Sequence, residues 1–172
     1  LKVTLQTIHI PLKKITKEIT KNKIIETVSI INEDLKIKFG ITKPKILICG
    51  INPHAGEDGL LGKEEIDVIM PAIKSLKKMG IKIDGPVPAD TAFIKKFVEK
   101  YDVIHTMYHD QGLPVIKFDN FSRTTNVTLG LPIIRVSVDH GTAIELVGTG
   151  EVDISSFTQA LKVARDISKS AL

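Results

Sequence analysis

The chain has no tryptophan, two tyrosines and six phenylalanines, so aromatic side chains make up only 5% of its 172 residues. That scarcity removes the aromatic platforms on which nucleic-acid bases stack. The net charge of +4 is carried by lysines scattered through Ile-rich and Glu-containing segments, not gathered on one basic face. The expected partner is a small anionic ligand, not nucleic acid. Cysteine is nearly absent: Cys49 stands alone in the run Ile46-Leu47-Ile48-Cys49-Gly50, which excludes an internal disulfide framework and suits a reducing compartment. It reads as a small buried hydrophobe. No apolar stretch approaches the ~20 residues of a membrane span, and the first residues lack the pattern of a signal peptide. A cytoplasmic location without membrane contact is expected. An initiator methionine is also missing: the chain opens on an apolar run, Leu1 to Ile10, and an amino-terminal domain ahead of it is the expectation.

What the sequence does have is alternation. Short apolar runs trade places with longer amphipathic ones, the signature of an α/β domain with a mostly parallel sheet flanked by helices, and the length suits one domain over residues 1–172. A first strand ends near His9. From Pro11 to Phe39 the spacing of Ile15, Ile19, Ile24, Val28, Ile31 and Leu35 is helical, with a stop at Gly40 and a break expected at Asn22. Lys45 to Ile51 reads as a strand, and Asn52 to Gly62 as a glycine-rich loop. Glu64 to Met79 is a helix with acids in its first turn, lysines in its last and a kink at Pro71. Strands follow at Ile81 to Val87 and Val103 to Tyr108, with a helix between them from Thr91 to Lys100, capped by Asp90. Thr125 to Leu129 and Ile133 to Val138 are two more strands, and Ser155 to Lys169 is a closing amphipathic helix.

Three of the five histidines, His9, His54 and His109, stand where an apolar run turns into a loop. If those runs are parallel strands, three imidazoles meet at the carboxyl edge of one sheet, where open α/β folds bind ligands. Three imidazoles with an open fourth position suit a catalytic zinc-type metal, although the long spacing is no local metal motif. His105 falls inside a strand and reads as structural. His140 follows a strand and precedes a glycine, which suits a ligand loop. Beyond these lie Lys117, Asn126 and Arg135, a point charge, an amide and a planar fork able to hold a carboxylate or phosphate. The alternative is that Lys117 snorkels from a helix and Arg135 pairs with a carboxylate.

Four strings go further: Asn52-Pro53-His54-Ala55-Gly56-Glu57, Gly85-Pro86-Val87-Pro88-Ala89-Asp90-Thr91, Met107-Tyr108-His109-Asp110-Gln111-Gly112-Leu113-Pro114-Val115 and Ser137-Val138-Asp139-His140-Gly141-Thr142-Ala143. Together they closely resemble the 4-hydroxythreonine-4-phosphate dehydrogenase family of vitamin B6 biosynthesis. The likeness covers essentially the whole chain, as the carboxy-terminal half of such an enzyme. It implies an isocitrate/isopropylmalate dehydrogenase-like fold and a fragment of a two-domain enzyme. The amino-terminal half, which in the family adds a His-Thr pair to substrate binding, is not in this chain.

The resemblance implies a divalent metal (zinc, cobalt or magnesium) on His9, His54 and His109, and an anionic substrate on Lys117, Asn126 and Arg135. His140, Gly141, Thr142 and Ala143 resemble the cofactor-adenine loop of the related dehydrogenases, which implies NAD or NADP. The implied reaction oxidises a secondary alcohol by hydride transfer, after which a β-keto acid loses carbon dioxide. Asp90, Asp110 and Lys117 all remain candidates for the general base. The family is homodimeric with its active site at the subunit interface, so His109 can serve the metal of the neighbouring chain. Two departures stand out: Leu60 replaces a second loop histidine of many members, and Phe118-Asp119-Asn120 is more polar than usual. Relatives acting on unphosphorylated hydroxy acids or diols are the rival reading, together with a folded metal-binding half that does not turn over.

Overall fold

A computed structural model of the chain describes residues 1–120, 123–139, 141, 144–151 and 153–170. Four strands, β1 (Val3–Leu5), β2 (Lys45–Cys49), β3 (Lys82–Val87) and β4 (Val103–Thr106), form a parallel sheet in the order β1-β4-β2-β3. The order follows from burial. In β2, Ile46 and Ile48 face one side while Leu47 and Cys49 face the other, and all four are buried, as a strand covered on both faces requires.

One face is covered by α1 (Ile15–Glu18), α2 (Lys21–Ile37) and α3 (Met70–Lys78), whose Ile24, Val28, Ile31, Leu35, Ile73 and Leu76 pack on Ile46, Ile48 and Val103. The other carries α4 (Ala89–Ala92) and α5 (Lys95–Lys100), with Ala92, Phe93 and Phe97 against Leu47, Cys49 and Ile104. Cys49 is wholly buried, and desolvation pushes its thiol up to about 12, so it is an inert hydrophobe.

Several boundaries differ from the sequence reading. The first long helix does break, but at Thr20, whose hydroxyl accepts the Lys23 N–H as an N-cap; Asn22 lies inside α2. Pro71 does coincide with an irregularity: a π-helical turn, Glu65–Ile69, runs straight into α3, whose second residue is Pro71, so the ladder changes where the proline cannot donate. Asp90 is not a cap: Pro88 takes the N-cap position of α4, and Asp90 lies within its first turn. A helix whose bounds were not traced in the sequence, α6 (His109–Asn120), begins at His109, contains Pro114 and carries Lys117, the lysine weighed as projecting from a helix.

The last two strands, β5 (Thr125–Thr128) and β6 (Arg135–Val138), pair with each other antiparallel and stand apart from the parallel sheet. The closing helix α7 (Ser155–Ser170) buries Ser156, Ala160 and Ile167. Asp34 on α2 ties in the segment between β5 and β6. Its Oδ2 accepts the Gly130 N–H at 2.7 Å and the Lys38 ammonium at 2.9 Å, and that ammonium also donates to the Leu131 carbonyl at 3.1 Å. A buried ion pair is tolerated when its remaining hydrogen-bonding groups are satisfied in this way.

His105 is structural, as its place in a strand implies. Gln6 turns its amide NH2 to the Thr27 hydroxyl, so its oxygen faces His105 Nε2 at 3.1 Å; that nitrogen carries the proton, and Nδ1 accepts from the Thr4 hydroxyl at 3.0 Å. Complete burial pushes the imidazole down to about 4 from an ordinary value of 6.5. The unfolded chain therefore binds a proton between those values that the folded chain refuses, so the neutral ring's contribution is full above pH 6.5 and is lost as pH falls toward 4. We expect about 3 kcal/mol of stability to disappear over that window through this group. A His105→Gln variant should show a correspondingly shallower decline in urea unfolding measured from pH 7 to 4.

Candidate functional site

The three strand-end histidines do emerge at the carboxyl edge of the sheet. His9 follows β1 by 9 − 5 = 4 residues, His54 follows β2 by 54 − 49 = 5, and His109 follows β4 by 109 − 106 = 3. β1 and β4 are neighbours, and the His9 and His109 rings lie 5.6 Å apart between centroids, tilted by 43°. His109 Nδ1 meets the Asp110 carboxylate at 2.5 Å, and His54 Nδ1 meets Glu57. A carboxylate on one ring nitrogen orients an imidazole and leaves Nε2 for a ligand. The Glu57 carboxylate, by hydrogen bond and by charge, raises the His54 pKa above its ordinary value, and Asp90 adds to the effect.

The donor chemistry of these rings fits a divalent metal. Among the described residues no group of three His, Cys, Asp or Glu side chains is spaced to hold a metal ion.

His54 sits in the most unusual backbone of the molecule. From His54 to Asp58 five consecutive residues are left-handed, with φ of 52, 54, 84, 43 and 53°, and only Gly56 among them is glycine. Each of the other four costs about 1 kcal/mol or more in this conformation. Glu65 holds the turn. It is 2% exposed, and its Oε1 accepts the N–H groups of Ile51 at 2.7 Å and Asn52 at 2.9 Å, while Oε2 accepts the Asn52 side-chain amide at 2.9 Å. Hydrogen bonds to a charged group are worth about 1.5–3 kcal/mol each, which offsets strain of this size. Glu65 was legible only as a first-turn acid placed to suit the helix dipole; nothing in the pattern marks it as turned inward. Gln111 also escaped notice, and it links Met107 to Gly50 across two strands.

The anion-binding candidates lie elsewhere on the same side of the chain order. Lys117 is on α6, eight residues and about 12 Å of helical rise beyond His109, and its ammonium lies 3.3 Å from Asp139 Oδ2. Asn126 and Arg135 share one face of the β5–β6 pair, since Asn126 opposes Ser137 and Arg135 opposes Thr128. Arg135 is exposed and donates to the Thr128 hydroxyl at 2.8 Å, so the carboxylate partner weighed for it in the sequence is replaced by a hydroxyl. Of the cofactor-loop candidates, His140, Thr142 and Ala143 lie outside the described residues; Gly141 is exposed, and a Cβ there would meet nothing within 4 Å. Asp110 is committed to His109, and Asp90 is exposed in α4.

The sequence and geometry have a counterpart in known proteins. A family model described as pyridoxal phosphate biosynthetic protein PdxA matches residues 1–164. The chain belongs to that family. It is 53% identical over 170 residues to the 4-hydroxythreonine-4-phosphate dehydrogenase of Pseudoalteromonas atlantica, covering 99% of this chain and 52% of that protein. The enzyme of the same name from Erwinia tasmaniensis is 52% identical over 171 residues, again 99% of this chain and 52% of that one. Among solved structures, the 4-hydroxythreonine-4-phosphate dehydrogenase of Klebsiella pneumoniae superposes with a TM-score of 0.87 at 36% identity, covering 96% of this chain and 50% of that chain. The chain thus spans about half the length of the curated relatives it matches.

The glycines of the His54 turn give a test of its packing. An Ala at Gly56 would keep φ at +84° and set its Cβ 2.7 Å from Glu65 Oε2, whereas at Gly80, with φ of +83°, a Cβ meets nothing within 4 Å. Gly80→Ala should cost about 1 kcal/mol for the left-handed backbone alone, and Gly56→Ala at least about 2 kcal/mol, in urea unfolding.

Proposed function

We propose that this chain forms the metal- and substrate-binding half of a 4-hydroxythreonine-4-phosphate dehydrogenase. The enzyme would oxidise its phosphorylated hydroxy amino acid with NAD or NADP, with decarboxylation, on the route to pyridoxal phosphate. The observation that carries the reading is that His9, His54 and His109 leave three parallel strands at one sheet edge, within a chain half identical to dehydrogenases of that name. A divalent metal, when bound, supplies Lewis-acid polarisation of substrate oxygens. His9, His54 and His109 would hold it. One chain does not gather all three, which favours a homodimer whose interface completes each site.

The remaining roles fall to charged and amide side chains at fixed positions. Arg135 presents a planar fork from a strand face, Asn126 stands on the same face, and Lys117 is held in place by Asp139; together they suit a phosphate and a carboxylate at two ends of a small substrate. Asp90, Asp110 and Lys117 remain the general-base candidates. The Asp110 contact with His109 makes it the better orienting group and leaves Asp90, in the neighbourhood of His54, as the stronger candidate for proton transfer. A diol-oxidising relative is the second reading, supported by a TM-score of 0.76 at 27% identity with the terephthalate 1,2-cis-dihydrodiol dehydrogenase of Burkholderia xenovorans. The higher identity to the B6-route enzymes favours the first.

Elemental analysis of the folded chain should find stoichiometric divalent metal that His54→Ala abolishes and a His105 substitution leaves nearly intact. The 172-residue chain alone should produce no reduced nicotinamide from the phosphorylated precursor, whereas the same segment within a full-length enzyme should. Equal metal in wild type and His54→Ala would remove the central claim.

Anion recognition is read separately. Arg135→Lys in a full-length version should weaken calorimetric binding of the phosphorylated amino acid by roughly tenfold, the equivalent of one charge-assisted hydrogen bond. An unaltered Kd would make Arg135 a structural residue of the hairpin.

A further inference from the structure

Two side chains outside the ligand set hold the strand exits from which the histidines spring. Gly50 and Met107 are the first residues past the ends of β2 and β4, where the sheet ladder stops and backbone groups need new partners. Gln111 supplies both. Its Oε1 accepts the Met107 N–H at 2.7 Å, and its Nε2 donates to the Gly50 carbonyl at 2.7 Å, so one planar amide spans the gap between the two exits. Glu65 grips the same corner from the other side through Ile51 and Asn52. The two devices meet at Gly50: a Cβ there would stand 2.8 Å from Glu65 Oε1 and 2.9 Å from the Ala55 Cα of the left-handed turn.

We propose that Gln111 and Glu65 are positioning residues of the histidine site. Gln111 fixes the β2 and β4 exits relative to each other, and hence how His54 and His109 are presented to a site that a second copy completes, while Glu65 anchors Ile51 and Asn52, the residues that lead into the strained turn opened by His54. The proposal rests on the metal reading of those histidines. Its chemistry is specific at both places. Glutamate at 111 keeps an acceptor for Met107 and sets a second acceptor against the Gly50 carbonyl. Asparagine is one methylene too short to reach across. Glutamine at 65 keeps one acceptor for the two backbone N–H groups but turns an NH2 toward the NH2 of Asn52.

The test uses the 172-residue chain, with zinc affinity read by calorimetry and ligand geometry by the visible absorption of bound cobalt. Gln111→Glu, Gln111→Met and Glu65→Gln should each bind zinc about 10–100-fold more weakly than wild type. They should shift the cobalt spectrum while keeping the wild-type far-ultraviolet circular dichroism. A purely structural role would lower the unfolding midpoint and leave both metal readouts of the folded protein unchanged. Zinc affinity within roughly twofold of wild type in the folded variants, together with an unshifted cobalt spectrum, would overturn the proposal. Should Gln111→Met fail to fold, Gln111→Glu decides, since it retains the Met107 bond. His54→Ala separates the two levels. If it loses zinc while the Gln111 and Glu65 variants keep it, positioning alone is wrong; if it binds zinc like wild type, the metal reading falls and the positioning proposal with it.

Discussion

Parallel pairing of β4 with both β1 and β2 is the constraint from which the rest of the molecule follows. Thr4 and Ile48 both register with His105, so the three strands run in step and end within a residue or so of one another. In β2 both faces are apolar, Ile46 and Ile48 on one and Leu47 and Cys49 on the other, so its register rests on the fit of each pair to its own helical layer and not on a polar face. His105, wholly buried between Thr4 and Gln6, locks the β1–β4 step with polar contacts that only one register can satisfy. With the strand ends aligned, the chemistry that follows each of them must share one edge.

What happens beyond that edge depends on how far the chain travels before it reaches an imidazole. Adjacent parallel strands lie about 4.8 Å apart, and His9 and His109, reached after short exits from neighbouring strands, have rings 5.6 Å apart. His54 follows β2, which also neighbours β4, and it opens the left-handed run to Asp58, with Glu65 bound to the chain just ahead of it at Ile51 and Asn52. Residues kept in costly conformations persist where the surroundings over-determine them, and here the surroundings are a buried carboxylate and two glycines that leave room for it. The geometry of the turn is therefore set by the protein around it.

The sequence made the sheet edge legible because strand ends show as a change from apolar runs to polar loops, and His9, His54 and His109 all sit on that change. The unbroken apolar run Ile46-Leu47-Ile48-Cys49 likewise made β2 legible as a strand. Helix α6 was not: Gly112 and Pro114 interrupt its apolar period, and Pro114 lies inside the helix, where it removes a ladder hydrogen bond, so the segment reads as loop. The Asp90 cap failed because Pro88 sets the φ at the start of α4 before Asp90 is reached. Glu65 and Gln111 were invisible in kind. A buried carboxylate and a bridging amide are recognised by what surrounds them in space, and no spacing in the chain encodes that Gly50 will face both.

The same logic explains why the histidine and anion-binding groups look like two sites within this one chain. Helix α6 joins them as a rigid spacer: His109 opens it at the sheet edge, and Lys117 lies two turns on, against Asp139 at the end of the β5–β6 pair. Asp34 fixes that pair to α2 through Gly130, so the exposed face bearing Asn126 and Arg135 has a set position relative to the core. The two helical turns, about 12 Å of rise, separate backbones and not side-chain tips, so the long Lys117 side chain covers part of the distance. What the helix and the Asp34 anchor fix is the placement of the two groups of side chains relative to each other: the imidazoles at the sheet edge, and the lysine, amide and guanidinium beyond it.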